Sequence, residues 1–143
     1  MIKEFQGEFR WLSNFTQVAI ELDGRMFYSV EHAYMSAKSD DEKWKDYCEN
    51  TFSAGQVKKA SRNITLVDNW DDIKVGVMRE CIDQKFNHPF FKDKLLATED
   101  SLIQEGNMWN DKFWGVCLKT GKGKNILGKL IMDKRNSLKG KKL

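Results

Sequence analysis

Proline occurs once in 143 residues, histidine twice and cysteine three times. An odd count of cysteines with no close spacing does not describe a disulfide-stapled secreted scaffold. Cys48, Cys81 and Cys117 with His32 and His88 also lack the spacing of a structural zinc site, so neither a metal nor a cofactor is expected. No run of 18 apolar residues exists, which argues against a membrane-spanning helix and a membrane partner. The first twenty residues mix acids with aromatics where a signal peptide would carry an apolar stretch. What is present is a hydrophobic fraction of 41%, with five Trp and nine Phe, too rich for a disordered or low-complexity chain. The expectation is a cytoplasmic protein of one domain (residues 1–143), able to bury roughly 70% of its unfolded surface without staples.

The net charge of +3 conceals an asymmetry. From Lys119 onward there are nine Lys or Arg and one acid, whereas the first 118 residues hold fifteen bases and twenty acids. A basic end on an acidic body is either a solvated lysine face or an attraction for something anionic. Lys139, Lys141 and Lys142 flank Gly140, a residue that commonly ends helices, so residues 139–143 are expected to form a mobile basic tail.

Local patterns predict a mainly α-helical domain with a small antiparallel β-sheet. Phe5, Phe9, Trp11 and Phe15 among polar residues read as strand-like. Val18, Ile20 and Leu22 alternate with polar neighbours, Asp23-Gly24 supplies a turn, and Met26-Phe27-Tyr28 returns, which is a hairpin signal. Ser29 caps a helix through Lys38, and Asp40 or Asp41 starts a second. Ser53 with Gln56 has the form of a capping box. Asp68-Asn69 opens a longer helix whose apolar positions Ile73, Val77, Met78, Cys81, Ile82 and Phe86 follow helical spacing. Asn87 and Pro89 restart the chain. A strand or loop pair, 101–103 and 113–118, precedes a last helix from Asn125 toward Gly140.

Two segments carry candidate chemistry. Glu31, Tyr34, Met35 and Lys38 share one helical face. Spacing alone leaves two readings open: a solvated ion ladder, or an acid/base carboxylate near an amine whose pKa burial lowers. Asp111 lies in Trp109-Asn110-Asp111-Lys112-Phe113-Trp114-Gly115, where aromatics surround a carboxylate beside a flexible glycine. These aromatics either cap a core or form a slot for a planar base. Gly123 to Lys129 has the glycine and lysine spacing of a phosphate-binding loop, but Leu130 stands where the metal-binding Ser or Thr belongs, so it is read as a decoy. Cys81 lies on an apolar stripe and reads as core.

Taken together, the segments resemble the NADAR, or YbiA-like, family. The resemblance runs through Trp11-Leu12-Ser13-Asn14-Phe15, Ile20 to Gly24, Glu31-His32-Ala33-Tyr34 with Ala37-Lys38, then Trp70, Met78 and Lys85-Phe86. It continues with Leu95 to Thr98, Glu105, Asp111, Trp114-Gly115, Asn125 to Gly128, Leu130, Met132 and Arg135. Two positions depart from the family's common pattern: Met35 in place of Gln, on the proposed site face, and Glu99 in place of Gly.

The resemblance implies an N-glycosidase that hydrolyses the bond between a ribose anomeric carbon and an exocyclic amine. Two substrate classes are implied, ribosylamino-pyrimidine phosphates of riboflavin synthesis and ADP-ribose attached to guanine in nucleic acid. Both are anionic and aromatic. On that reading Glu31 shuttles a proton, Lys38 is the candidate Schiff-base amine, and Asp111 stabilises positive charge at the anomeric centre or positions water. Asn14 holds a ribose hydroxyl, Trp109 or Trp114 stacks on the base, and Tyr34 and Asn125 complete the substrate-binding set. Direct attack of water without a covalent bond is the competing mechanism. A non-catalytic ADP-ribose or nucleotide-binding module is the alternative function. The oligomeric state stays open.

Overall fold

The computed structural model describes residues 1–140. Six α-helices and two short strand pairs are described, so the chain is mainly helical with a small antiparallel sheet, as expected. Two compact units form, one of Asn14–Lys85 and the other of Met1–Ser13 with the described residues from Phe86 on.

The Asn14–Lys85 unit opens on the expected hairpin, β1 (Ile20–Leu22) and β2 (Arg25–Phe27), paired Ile20 to Phe27. Asp23 and Gly24 both take positive φ (52° and 79°), the twist a two-residue hairpin turn requires. Helix α1 (Val30–Ser36) follows, capped by the Ser29 hydroxyl, which accepts from the His32 amide. It is shorter than the expected helix through Lys38, ending in a tight turn in which the amides of Ala37 and Lys38 bond the carbonyls of Tyr34 and Met35. Helix α2 (Glu42–Asn50) is capped by Asp41 and α3 (Ala54–Ala60) by Ser53, whose hydroxyl accepts from the Gln56 amide. Glu42, Asp46 and Glu49 occupy one face of α2, and Arg25 of β2 reaches all three, at 2.5, 2.7 and 2.9 Å. Gln84 of α4 (Trp70–Asn87) exchanges two hydrogen bonds with the Glu21 backbone, fixing the hairpin against that helix.

The other unit begins with a correction. The opening is a 3₁₀ helix, Gly7–Leu12, and not a strand. Burial at Ile2, Phe5 and Leu12, with Phe9 half-buried, advances in steps of three and four, a helical period; the alternation of Phe9 and Trp11 was too short to fix a strand. Helix α5 (Pro89–Ala97) starts with proline in its first turn behind a His88 cap. The second strand pair is also displaced from its expected place. β3 (Gly106–Asn107) and β4 (Val116–Cys117) run parallel, while Ile103 bridges to Ile2. Backbone pairing of the N-terminal segment with 102–104 takes up the residues expected to pair with 113–118.

Helix α6 (Ile126–Gly140) closes the described chain. Lys139 belongs to this helix and to no tail: its ammonium lies 2.6 Å from Asp100 and 2.9 Å from the Glu99 carbonyl. Lys141 and Lys142 lie outside the described residues. Among the described residues no helix is long and apolar enough to cross a membrane.

Candidate active site

Helix α1 is buried along its whole length, Val30 to Ser36. Burial this complete follows from its neighbours within the unit, the hairpin on one side and α2 and α3 on others. Glu31 is therefore 7% exposed, and the solvated ion ladder is excluded for it. Its amide is tied to the Asn14 carbonyl at 3.0 Å. The Asn14 side chain donates to Met78 sulfur at 3.6 Å, and its Oδ1 is buried with no hydrogen-bond partner. A buried amide oxygen in that state is costly unless something donates to it, which suits a ligand hydroxyl.

Helix spacing brings Lys38 into electrostatic reach of Glu31, as the shared face required. Burial lowers the Lys38 ammonium below the ordinary lysine range, Glu31 opposes that shift, and Lys58 and Lys74 reinforce it. The amine lies 5.6 Å from the Tyr34 ring centre and 6.0 Å from that of Trp70, and these two rings are 5.2 Å apart. Met35, where the family often has Gln, is buried on the same helix. Below the helix, the His32 ring bonds the Ser29 hydroxyl at 2.6 Å and the Thr51 carbonyl at 2.8 Å. Since the carbonyl can only accept, Nε2 carries the proton and Nδ1 accepts from Ser29.

Lys85 on α4 is fully buried, and burial alone pushes its ammonium down to about 7. An amine in that range is partly neutral at neutral pH, the state a nucleophilic lysine needs.

The remaining sequence candidates lie in the other unit. Asp111 Oδ1 accepts from the amides of Phe113 and Trp114 at 3.1 and 3.0 Å, so the carboxylate organises its own turn. Asn107 closes that turn from the other end, exchanging bonds with the Asp111 backbone. Trp114 is half-buried, whereas Trp109 is 58% exposed. Gly115 is not the flexible residue expected: it is buried, and a Cβ there would collide with Glu105 and Asn107. Asn125 accepts from the Glu105 amide and donates to the Ile103 carbonyl, which leaves one amide hydrogen and one lone pair for a ligand.

Residues 2–139 match the NADAR domain. The chain belongs to the NADAR family. It is 35% identical over 129 residues to the N-glycosidase YbiA of Shigella boydii, covering 88% of this chain and 79% of that protein. A riboflavin biosynthesis protein of Vibrio vulnificus is 34% identical over 132 residues, covering 90% of this chain and 35% of that longer protein. The NMR structure of the Escherichia coli protein YbiA superposes with a TM-score of 0.85 at 30% identity, covering 99% of this chain and 89% of that one.

Of the residues singled out from the NADAR pattern, the Asn14–Lys85 unit holds Asn14, Glu31, Tyr34 and Lys38, and the other holds Trp109, Asp111, Trp114 and Asn125. Lys85 was visible as a matched residue but received no role. The signal was there: Met78, Cys81, Ile82, Lys85 and Phe86 occupy one buried stripe, and a lysine stands out among apolar residues at such a position.

Proposed function

We propose that the chain is an N-glycosidase that cleaves the bond between a ribose anomeric carbon and an exocyclic amine of a nucleobase-like group. The observation that carries this reading is a buried carboxylate, Glu31, in the same unit as two lysines held below their ordinary pKa. The names of the relatives support the reaction class.

An exocyclic glycosylamine leaves with difficulty unless the sugar ring opens to an imine. A neutral lysine then adds to the anomeric carbon and expels the base amine, exchanging one C=N bond for another. Water adds to the lysine imine, the sugar leaves as its aldehyde, and the amine is regenerated. Glu31 gives a proton to the departing nitrogen and recovers one from water. Lys85 suits the amine's part better than Lys38, because its burial is complete and Lys38 keeps Glu31 and two ring faces favouring the charged form. Asn14, in the same unit as Glu31, is assigned to a ribose hydroxyl.

Two substrates fit, a ribosylamino-pyrimidine phosphate and ADP-ribosylated guanine. Incubating the protein with each and following release of the free base by mass tests the proposal. Release from at least one, at a rate dependent on Glu31, is the expected result. Binding of both without release of either would leave a nucleotide-binding module in place of an enzyme.

A further inference from the structure

Residues 112–132 contain Lys112, Lys119, Lys122, Lys124 and Lys129 and no acid. All five are exposed, and among the described residues none is paired with a carboxylate. Lys139 by contrast is held by Asp100, and Lys74 by Asp71. The backbone folds this run on itself. The Lys124 amide bonds the Lys112 carbonyl at 2.7 Å, and the Cys117 amide bonds the Lys122 carbonyl at 2.9 Å. Residues far apart in sequence are thereby set side by side, with the Lys124 ammonium 5.7 Å from the Phe113 ring centre. Immediately ahead, the turn closed by Asn107 and Asp111 presents Trp109 at its tip, 58% exposed.

Uncompensated cations cost self-repulsion, and an exposed indole beside them forgoes burial. Both are relieved by a partner that is a chain of anions with flat aromatic groups. We propose that Lys112, Lys119, Lys122, Lys124 and Lys129, with Trp109 as a stacking platform, form a docking surface for single-stranded nucleic acid, the ammonium groups taking phosphates and the indole a base. A flexible strand can follow so narrow a patch. A flat anionic membrane would find only Met108 and Trp109 here as exposed apolar side chains, a small anchor. The proposal goes beyond the glycosidase reading, since an unmodified strand with no ribosyl adduct is sufficient to test it.

The test is fluorescence anisotropy of a labelled, unmodified oligothymidylate at a series of salt concentrations. Saturable binding with a salt-dependent affinity is expected. The triple variant Lys112→Gln, Lys122→Gln, Lys124→Gln should lower the slope of log K against log salt by about 2, at roughly 0.7 per lost contact. Trp109→Ala should weaken binding roughly 5- to 150-fold and Trp109→Phe much less. A triple variant made instead at Lys3, Lys43 and Lys59, also exposed, should keep the slope. No saturable binding at low salt, equal losses in the two triple variants, or tighter binding to phosphatidylserine vesicles than to the oligomer would each overturn the proposal.

Discussion

Glu31 shows how little a residue's chemistry is set by its neighbours in sequence. Nothing in Ser29 to Lys38 says whether that face meets water; spacing alone favours the solvated ion ladder, and burial removes it for Glu31. Glu31→Gln keeps shape and burial but removes the exchangeable proton. The rate of base release should fall 10²- to 10⁴-fold, with thermal unfolding close to that of wild type. A variant that retains more than about a tenth of the rate would remove Glu31 from the reaction. Lys85 gives a second prediction at this scale. Lys85→Met preserves length in the apolar stripe of α4 and should abolish base release, with the helical circular dichroism of the folded protein retained. The wild-type rate should rise as pH passes through about 7, where the amine loses its proton. The stability sign is separate. The unfolded chain keeps the lysine proton to the ordinary 10.5 and the folded chain only to about 7, so stability rises with pH across that interval. Lys85→Met should remove that slope from urea titrations made between pH 7 and 10; an unchanged slope would show that the burial does not act on this amine.

At the scale of elements, helices whose stripe and cap were both in the sequence were legible. Ser29, Ser53 and Asp41 cap where their side chains allowed, and the α4 stripe is buried as its period required. The failures share a cause. The residues ahead of the 3₁₀ helix and the parallel pair of β3 and β4 are held by backbone bonds between separate segments, such as Ile2 to Leu102 and Val116 to Glu105, which no local pattern encodes. Ser29 has two tasks, capping α1 and bonding His32 Nδ1. Ser29→Ala should cost about 1 kcal/mol in urea unfolding from the cap alone. Burial lowers the His32 pKa from 6.5, so the unfolded chain takes the proton first. Stability should hold above about pH 7 and decline as pH falls below 6.5, a decline that His32→Gln should flatten. Gly115→Ala forces a methyl into Glu105 and Asn107 and should destabilise by about 1–3 kcal/mol, seen as a lower urea midpoint. A neutral outcome would mean that the close approach of these segments yields without cost.

For the whole molecule, the helical class and the family were readable because the matched segments keep their order along the chain, and residues 2–139 match the NADAR domain. The site was readable only in part. Glu31 on α1 and Lys38 in the turn that ends it are seven residues apart, a spacing visible in the sequence, whereas the meaning of Lys85 depends on its burial. The charge asymmetry was also half legible. Lys139 is spent on Asp100, and the exposed lysines lie further upstream, between 112 and 129. The central claim, a glycosidase working through a buried lysine, is tested most directly by chemical trapping. Borohydride added while base is being released should reduce the lysine imine and leave a sugar fragment on the peptide containing Lys85, found by mass spectrometry and absent in Glu31→Gln. Continued release of base with no adduct, or an adduct on the Lys38 peptide alone, would contradict it.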